Sequence, residues 1–87
     1  MDLPGEDLIA RGLEDLRQGT ESVPSLLVSI GAPRLRALGL ELGTTFSDPE
    51  HRLYRRLCVS HGNAAHSQYN AFVRRLVSFE RALACAR

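Results

Sequence analysis

The C-terminal segment constrains the fold most, because residues 64–86 contain neither glycine nor proline. A run of this length predicts a single helix of about 23 residues, or ~35 Å. Val73 and Val77 widen its apolar stripe, which favours packing in a bundle over an isolated two-stranded coil. The stripe itself has the alternating steps of four and three of a coiled-coil seam: Ala65, Tyr69, Phe72, Leu76, Phe79, Leu83 and Ala86.

Two further helices are predicted in the first part of the chain. Residues 6–18 carry apolar side chains at steps of three and four, and Gly19 follows in the position that closes a helix. Ser22 is a residue type that caps helix N-termini, and the apolar pattern after it runs as far as Gly31. The second helix is therefore expected to be only about eight residues long, too short to persist without packing.

Two more helices are expected before the long one. Pro33 favours a new first turn, and the short segment that it opens ends at Gly39. Ser47 and Glu50 have the spacing of a capping box, which predicts a fourth helix that ends at Gly62. The fold class is thus all-α: residues 1–87 are expected to form a single helical domain, a small irregular bundle of about five helices. The long C-terminal helix is expected to be its spine.

Composition indicates the cellular compartment in which this domain is expected. The chain is 44% apolar and 24% charged, and no stretch approaches the ~20 apolar residues of a membrane span. Its first twenty residues lack the basic start and unbroken apolar run of a secretory signal. All eleven basic residues are arginine, which most simply reflects a GC-rich coding sequence. We expect a bacterial, cytoplasmic protein in which Cys58 and Cys85 are buried, free thiols.

Charge is distributed unevenly along the chain. Residues 1–43 contain four arginines against seven acidic residues, whereas residues 44–87 contain seven arginines against three. Such a chain can pack its acidic half beside its basic half, or it can offer the basic half to an acidic partner. Internal pairing is the simpler interpretation.

The main functional hypothesis is a non-enzymatic protein-interaction module. A chain of this size buries only about 60–65% of the surface that it exposes when unfolded, so self-association would add stability. A homo-oligomer or a complex with a protein partner is therefore expected. The predicted partner-binding residues lie on the long helix: Phe72, Val73, Leu76, Val77, Phe79 and Leu83.

The alternative hypothesis is a nucleic-acid-binding regulator. Six arginines on the last two predicted helices lie away from the apolar stripes, and guanidinium groups can hold phosphates. No aromatic side chain lies among them to stack on bases. The set comprises Arg52, Arg55, Arg56, Arg74, Arg75 and Arg81.

A third hypothesis is RNA cleavage by Arg56 and His61. Their separation by four residues resembles the short arginine-to-histidine spacing of HEPN-type ribonucleases, and this resemblance implies an RNA-cleaving pair. No other residue carries the likeness. With eleven arginines and three histidines, about one such spacing is expected by chance.

Signals for other chemistry are weak. Metal-capable side chains occur at Cys58, His61, His66 and Cys85, but without the close cysteine or histidine pairs that introduce a zinc site. There is no glycine-rich phosphate loop and no pair of carboxylates on an apolar face. We therefore expect no enzymatic activity, no metal and no cofactor.

Overall fold

A computed structural model describes residues 3–86 of the chain. All regular structure among these residues is helical, which confirms the predicted all-α class. The described residues form four α-helices and one 3-10 turn rather than about five helices. In chain order they are α1 (Glu6–Arg17), α2 (Val23–Ala37), α3 (Pro49–His61), the 3-10 turn (Gly62–Ala64) and α4 (Ala65–Ala86).

The expected break after Gly31 is wrong, because α2 continues through Gly31 and Pro33 as one helix of 15 residues. An internal proline costs a helix about 3 kcal/mol, since it removes one hydrogen bond and crowds the preceding turn. Beyond Pro33, however, the helix carries Leu35 into the core, where it is fully buried. Burying one leucine contributes about 1.5–3 kcal/mol, which is comparable to the cost of the proline.

Helix α2 contributes the most buried residues to the bundle. Both α2 and the long helix α4 contact each of the other three helices, whereas α1 and α3 do not contact each other. Helix α4 has the predicted length, at 22 residues, but buries only Ala65, Leu76 and Phe79. The buried residues of α2 surround its axis: Ser25, Leu26, Leu27, Val28, Ser29, Gly31, Ala32 and Leu35.

Two glycines allow the helices to approach α2 closely. A Cβ atom on Gly31 would lie 2.8 Å from Leu76 Cδ1 and 3.0 Å from Glu80 Oε2 of α4. A Cβ atom on Gly12 would lie 2.5 Å from Val28 Cγ2 and nearer still to the carbonyl oxygen of Pro24. Gly31 is therefore a helix-crossing point and not the end of a helix.

Most helix ends follow the predicted signals, including Gly39, which follows α2 with φ of +99°. Gly19 closes α1 with φ of +72°, and Gly62 follows α3 with φ of +54°. Ser22 caps α2 through a reciprocal pair of hydrogen bonds with Ser25. The predicted cap at Ser47 is wrong, since the residue before α3 is Asp48, which makes no side-chain capping bond.

The segment between α2 and α3 is held by side chains of α2. Ser29 Oγ accepts a hydrogen bond from the Phe46 backbone nitrogen at 3.2 Å, and Arg36 donates to the Gly43 carbonyl oxygen at 3.1 Å. The start of α3 is thereby fixed against α2. No helix in the described part of the chain is both long and apolar enough to cross a membrane.

Replacing Gly12 by alanine tests the close approach of α1 to α2. The new methyl group would overlap backbone and side-chain atoms of α2, so we expect a loss of about 1–3 kcal/mol in the free energy of unfolding. Urea denaturation followed by circular dichroism measures it. Gly43→Ala is the matched control, because no atom lies within 4 Å of the added methyl group. Equal stability of the two variants would contradict the close packing.

Candidate interaction surface

The predicted partner-binding stripe of α4 is used largely inside the monomer. Leu76 and Phe79 are buried in the core, at 3% and 5% exposure. Phe72 and Leu83 are partly buried and pack against that core. Val73 and Val77 are half-buried. Partner binding by these six residues stays a prediction, but they leave little apolar area to offer a partner.

The outward face of α3 carries a different set of side chains. Leu53 and Leu57 point into the core, so positions 52, 55, 56 and 59 share the opposite side at helical spacing. These four residues, Arg52, Arg55, Arg56 and Val59, are called the arginine–valine face below. Together with Glu21 they line a hollow of about 360 Å³.

Glu21 crosses from the acidic half of the chain to this face. Arg52 Nη1 donates to Glu21 Oε1 at 2.8 Å, and Arg56 Nε donates to Oε2 at 3.2 Å. Arg56 Nη2 also donates to the backbone carbonyl oxygen of Glu21 at 2.9 Å. Both carboxylate oxygens are thus occupied by different guanidinium groups. For these residues the internal pairing of the two halves is observed.

The pKa of Glu21 reflects two opposing effects. Burial of the carboxyl group raises its pKa, but hydrogen bonds from Arg52 and Arg56, together with their positive charges, lower it by more. The net pKa is therefore below the ordinary value of 4.5. The carboxylate is the form that the two arginines stabilise.

The loop that presents Glu21 is fixed by its neighbour. Ser22 Oγ donates to Asp15 Oδ2 at 2.7 Å and accepts from the Ser25 backbone nitrogen at 3.1 Å. The Thr20 backbone nitrogen donates to the carbonyl oxygen of Asp15 at 2.8 Å. Glu21 is therefore held between two anchored residues, with its side chain directed across to α3.

Arg55 and Val59 are the open part of the face. The guanidinium group of Arg55 lies 3.1 Å from His51 Nε2. Within residues 3–86 Arg55 has no carboxylate partner. Val59 is 87% exposed, the most exposed large apolar side chain in the described part of the chain. The hollow therefore combines an apolar contact with an arginine free to bind an anion.

The other three arginines of the predicted nucleic-acid set lie elsewhere. Arg74, Arg75 and Arg81 are exposed on α4, and none forms an ion pair within the described range. A Cβ atom on Gly5, just before α1, would lie 3.1 Å from the Arg75 carbonyl oxygen. Arg52 and Arg56 instead bind Glu21, in the connection that follows the other end of α1. Nucleic-acid binding by all six stays a prediction, but the six do not form one compact patch.

The Arg56 and His61 side chains do not converge on one point. Five residues apart on α3, they leave the helix axis about 140° from each other. The guanidinium group of Arg56 is bound by Glu21, whereas His61 is exposed at the helix end. RNA cleavage by this pair stays a prediction.

Metal-capable side chains are not gathered in the structure. No group of three or more histidine, cysteine, aspartate or glutamate side chains suited to a metal ion occurs among residues 3–86. Cys58 and Cys85 are free thiols, but both are exposed, and the prediction that they are buried is wrong. Only Leu53 and Leu57 of α3 are buried, which leaves Cys58 on the surface of the helix.

A larger hollow, of about 600 Å³, lies between the end of α1 and the loop before α3. Leu13, Leu16, Leu42 and Phe46 supply its apolar lining. Arg17, on its rim, is paired with Glu14 at 2.7 Å. Glu41 also lines this hollow, as a carboxylate with no ion-pair partner within residues 3–86, but the hollow lacks a cluster of like charges such as that of the arginine–valine face.

Sequence reasoning missed Glu21 and the role of Val59. The uneven charge of the two halves indicated that acidic and basic groups could meet, but not which ones. Val59 shares the i, i+3, i+4 and i+7 spacing of the arginines, and this pattern could have identified it.

No known protein family, curated protein or solved structure matches this chain.

Glu21→Gln tests the ion pairs through their pH dependence. Because the pKa of Glu21 is lowered by folding, its carboxylate stabilises the fold above the ordinary pKa of 4.5, and this stabilisation is lost as the pH falls through the lowered value. Glutamine lacks this effect at every pH. We expect the variant to be about 0.5–1 kcal/mol less stable at pH 7, a figure reduced for partial exposure. The difference should vanish in acid.

Urea denaturation of both proteins across this pH range measures the difference. Glu41→Gln is the control, since it removes an exposed carboxylate that has no arginine partner within residues 3–86. A wild-type advantage that is independent of pH would show that the ion pairs with Glu21 do not contribute in this way.

Proposed function

We propose that this chain is a non-enzymatic protein-interaction module that binds a partner protein through the arginine–valine face of α3. The observation that carries the proposal is Val59, which is 87% exposed in a hollow lined by three arginines. Full burial of a valine side chain contributes about 1.5–3 kcal/mol of favourable free energy. Arginine is also among the residues enriched at protein interfaces.

The chemistry of the face supports binding rather than catalysis. Its polar groups are guanidinium groups and the Glu21 carboxylate, and the two kinds are already joined by hydrogen bonds. The nearby Ser60 hydroxyl donates to the carbonyl oxygen of Arg56 at 3.1 Å. A serine nucleophile needs an adjacent base that accepts its proton, and a carbonyl oxygen does not perform that role.

The same proposal includes self-association, in which the partner is a second copy of the chain. The sequence predicts self-association, and the dipolar charge of the two halves supports it. We also propose a cytoplasmic location, which the two free, exposed thiols support because a reducing compartment keeps such thiols reduced. Sedimentation equilibrium at micromolar concentrations measures self-association directly.

Site-specific crosslinking tests the proposed surface. A photoreactive residue at position 59 is expected to give discrete crosslinked products in the native cell, because this position lies at the centre of the proposed interface. The same residue at exposed Ser67 on α4 is the control. Arg55→Gln, introduced together with the probe at position 59, is expected to reduce the yield at least about threefold, since arginine anchors weaken binding when truncated.

Two results would contradict the proposal. Position 59 would fail as an interface if it gave no product, or if the products at position 59 and Ser67 were the same. Products at position 59 that contain two copies of the chain would identify the partner as a second copy.

A further inference from the structure

The arginine–valine face already contains one bound carboxylate, that of Glu21, and this contact indicates what else the face can bind. We propose that the partner is an acidic protein segment with a carboxylate that replaces Glu21 on Arg52 and Arg56. This inference rests on the proposed function. Glu21 is then an internal competitor that occupies the face in the free protein. The partner would also place a second carboxylate on Arg55 and an apolar side chain on Val59.

The geometry of Glu21 fits a replaceable ligand. Its side chain is 33% exposed, and it lies in the connection between α1 and α2, outside either helix. Ser22 holds this connection through its bonds to Asp15 and Ser25, without help from the Glu21 carboxylate. The carboxylate can therefore leave the arginines while both helices and the cap of α2 stay in place.

Charge at the face favours an anionic partner. Three guanidinium groups face a single carboxylate, which leaves a local surplus of two positive charges. Arg52 and Arg56 are 42% and 45% exposed, so a second anion can reach them from solvent. Arginine holds carboxylates through paired, charge-assisted hydrogen bonds, which are stronger than those between neutral groups.

Val59 distinguishes an acidic protein segment from nucleic acid. A phosphate backbone has no apolar group to cover an exposed valine, whereas an acidic peptide can place a leucine there. The hollow holds no aromatic side chain on which a base could stack. The arginines of α4 also lie apart from this face, so there is no continuous track for a phosphate chain.

In a second copy, the carboxylates Glu14 and Asp15 of α1 already have partners. Glu14 is already bonded to Arg17 and Gln18, at 2.7 and 2.9 Å. Asp15 pairs with Arg11 at 3.6 Å and accepts from Ser22. A second copy that bound through Glu14 or Asp15 would have to give up these contacts, whereas a separate acidic segment would not.

The experiment measures binding of a fluorescent acidic peptide by anisotropy. The probe is an alanine-based helical peptide of about 12 residues, enough to span the ~10 Å face. It carries three glutamates and one leucine at i, i+3, i+4 and i+7 spacing. The matched control peptide has glutamine at the three glutamate positions. A thymidine oligonucleotide of comparable charge represents nucleic acid.

Variants of the chain test the roles of Arg55 and Glu21 in binding the glutamate peptide. Arg55→Gln is expected to weaken binding of the glutamate peptide about tenfold, because it removes an arginine with no internal carboxylate partner. Arg81→Gln changes the net charge equally but is exposed on α4, apart from this face, so it should leave binding unchanged. Glu21→Gln should tighten binding about threefold, since it removes the internal competitor and raises the fraction of free face. Circular dichroism checks that each variant is folded.

Three results would overturn the inference. The glutamate and glutamine peptides could bind equally, the oligonucleotide could bind more tightly than the glutamate peptide, or Glu21→Gln could weaken binding. Crosslinking at position 59 separates this inference from the proposed function. If position 59 crosslinks to a partner but the two peptides bind alike, the face is an interface and only the acidic chemistry is wrong. If position 59 gives no product, the proposed function itself fails.

Discussion

The packing of α2 against all three other helices is the constraint on which the remaining structure depends. Gly12 lets α1 lie against Pro24 and Val28, and Gly31 lets α4 cross at Leu76. A domain of this size has few buried residues, so each close crossing accounts for a large share of its core. The same packing explains why Pro33 does not end the helix: the core that surrounds Leu35 stabilises the turn beyond the proline.

This arrangement also positions the candidate site. Because α1 packs along α2, the short connection between them must turn within five residues, and Ser22 closes that turn by capping α2. Glu21 therefore emerges beside the start of α2, where α3 also packs. The ion pairs with Arg52 and Arg56 follow from the positions of three helices, and not from any local feature of α3.

The sequence predicted those features that depend on neighbouring residues. Gly19, Ser22 and Gly62 lie at helix ends because their local conformations or hydrogen bonds favour ends, and the uninterrupted segment before Ala86 is one long helix. The continuity of α2 could not be predicted in the same way, since it depends on burial of Leu35 by other helices. The pairing of Glu21 with α3 spans 31 and 35 residues, beyond the reach of any spacing argument.

The long helix α4 was predicted to bind a partner because it has the largest apolar stripe. A small domain, however, must use such a stripe to build its core. Leu76 and Phe79 face inward, and what remains on the surface of α4 is mostly polar. Helix α3 differs because it contacts α2 and α4 but not α1, so its outer side is bordered only by the loop that carries Glu21. Any partner that covers Val59 must approach along this border. It therefore meets the arginines and the Glu21 carboxylate at the same time, and for the acidic partner that we propose, recognition at this face is a competition between carboxylates.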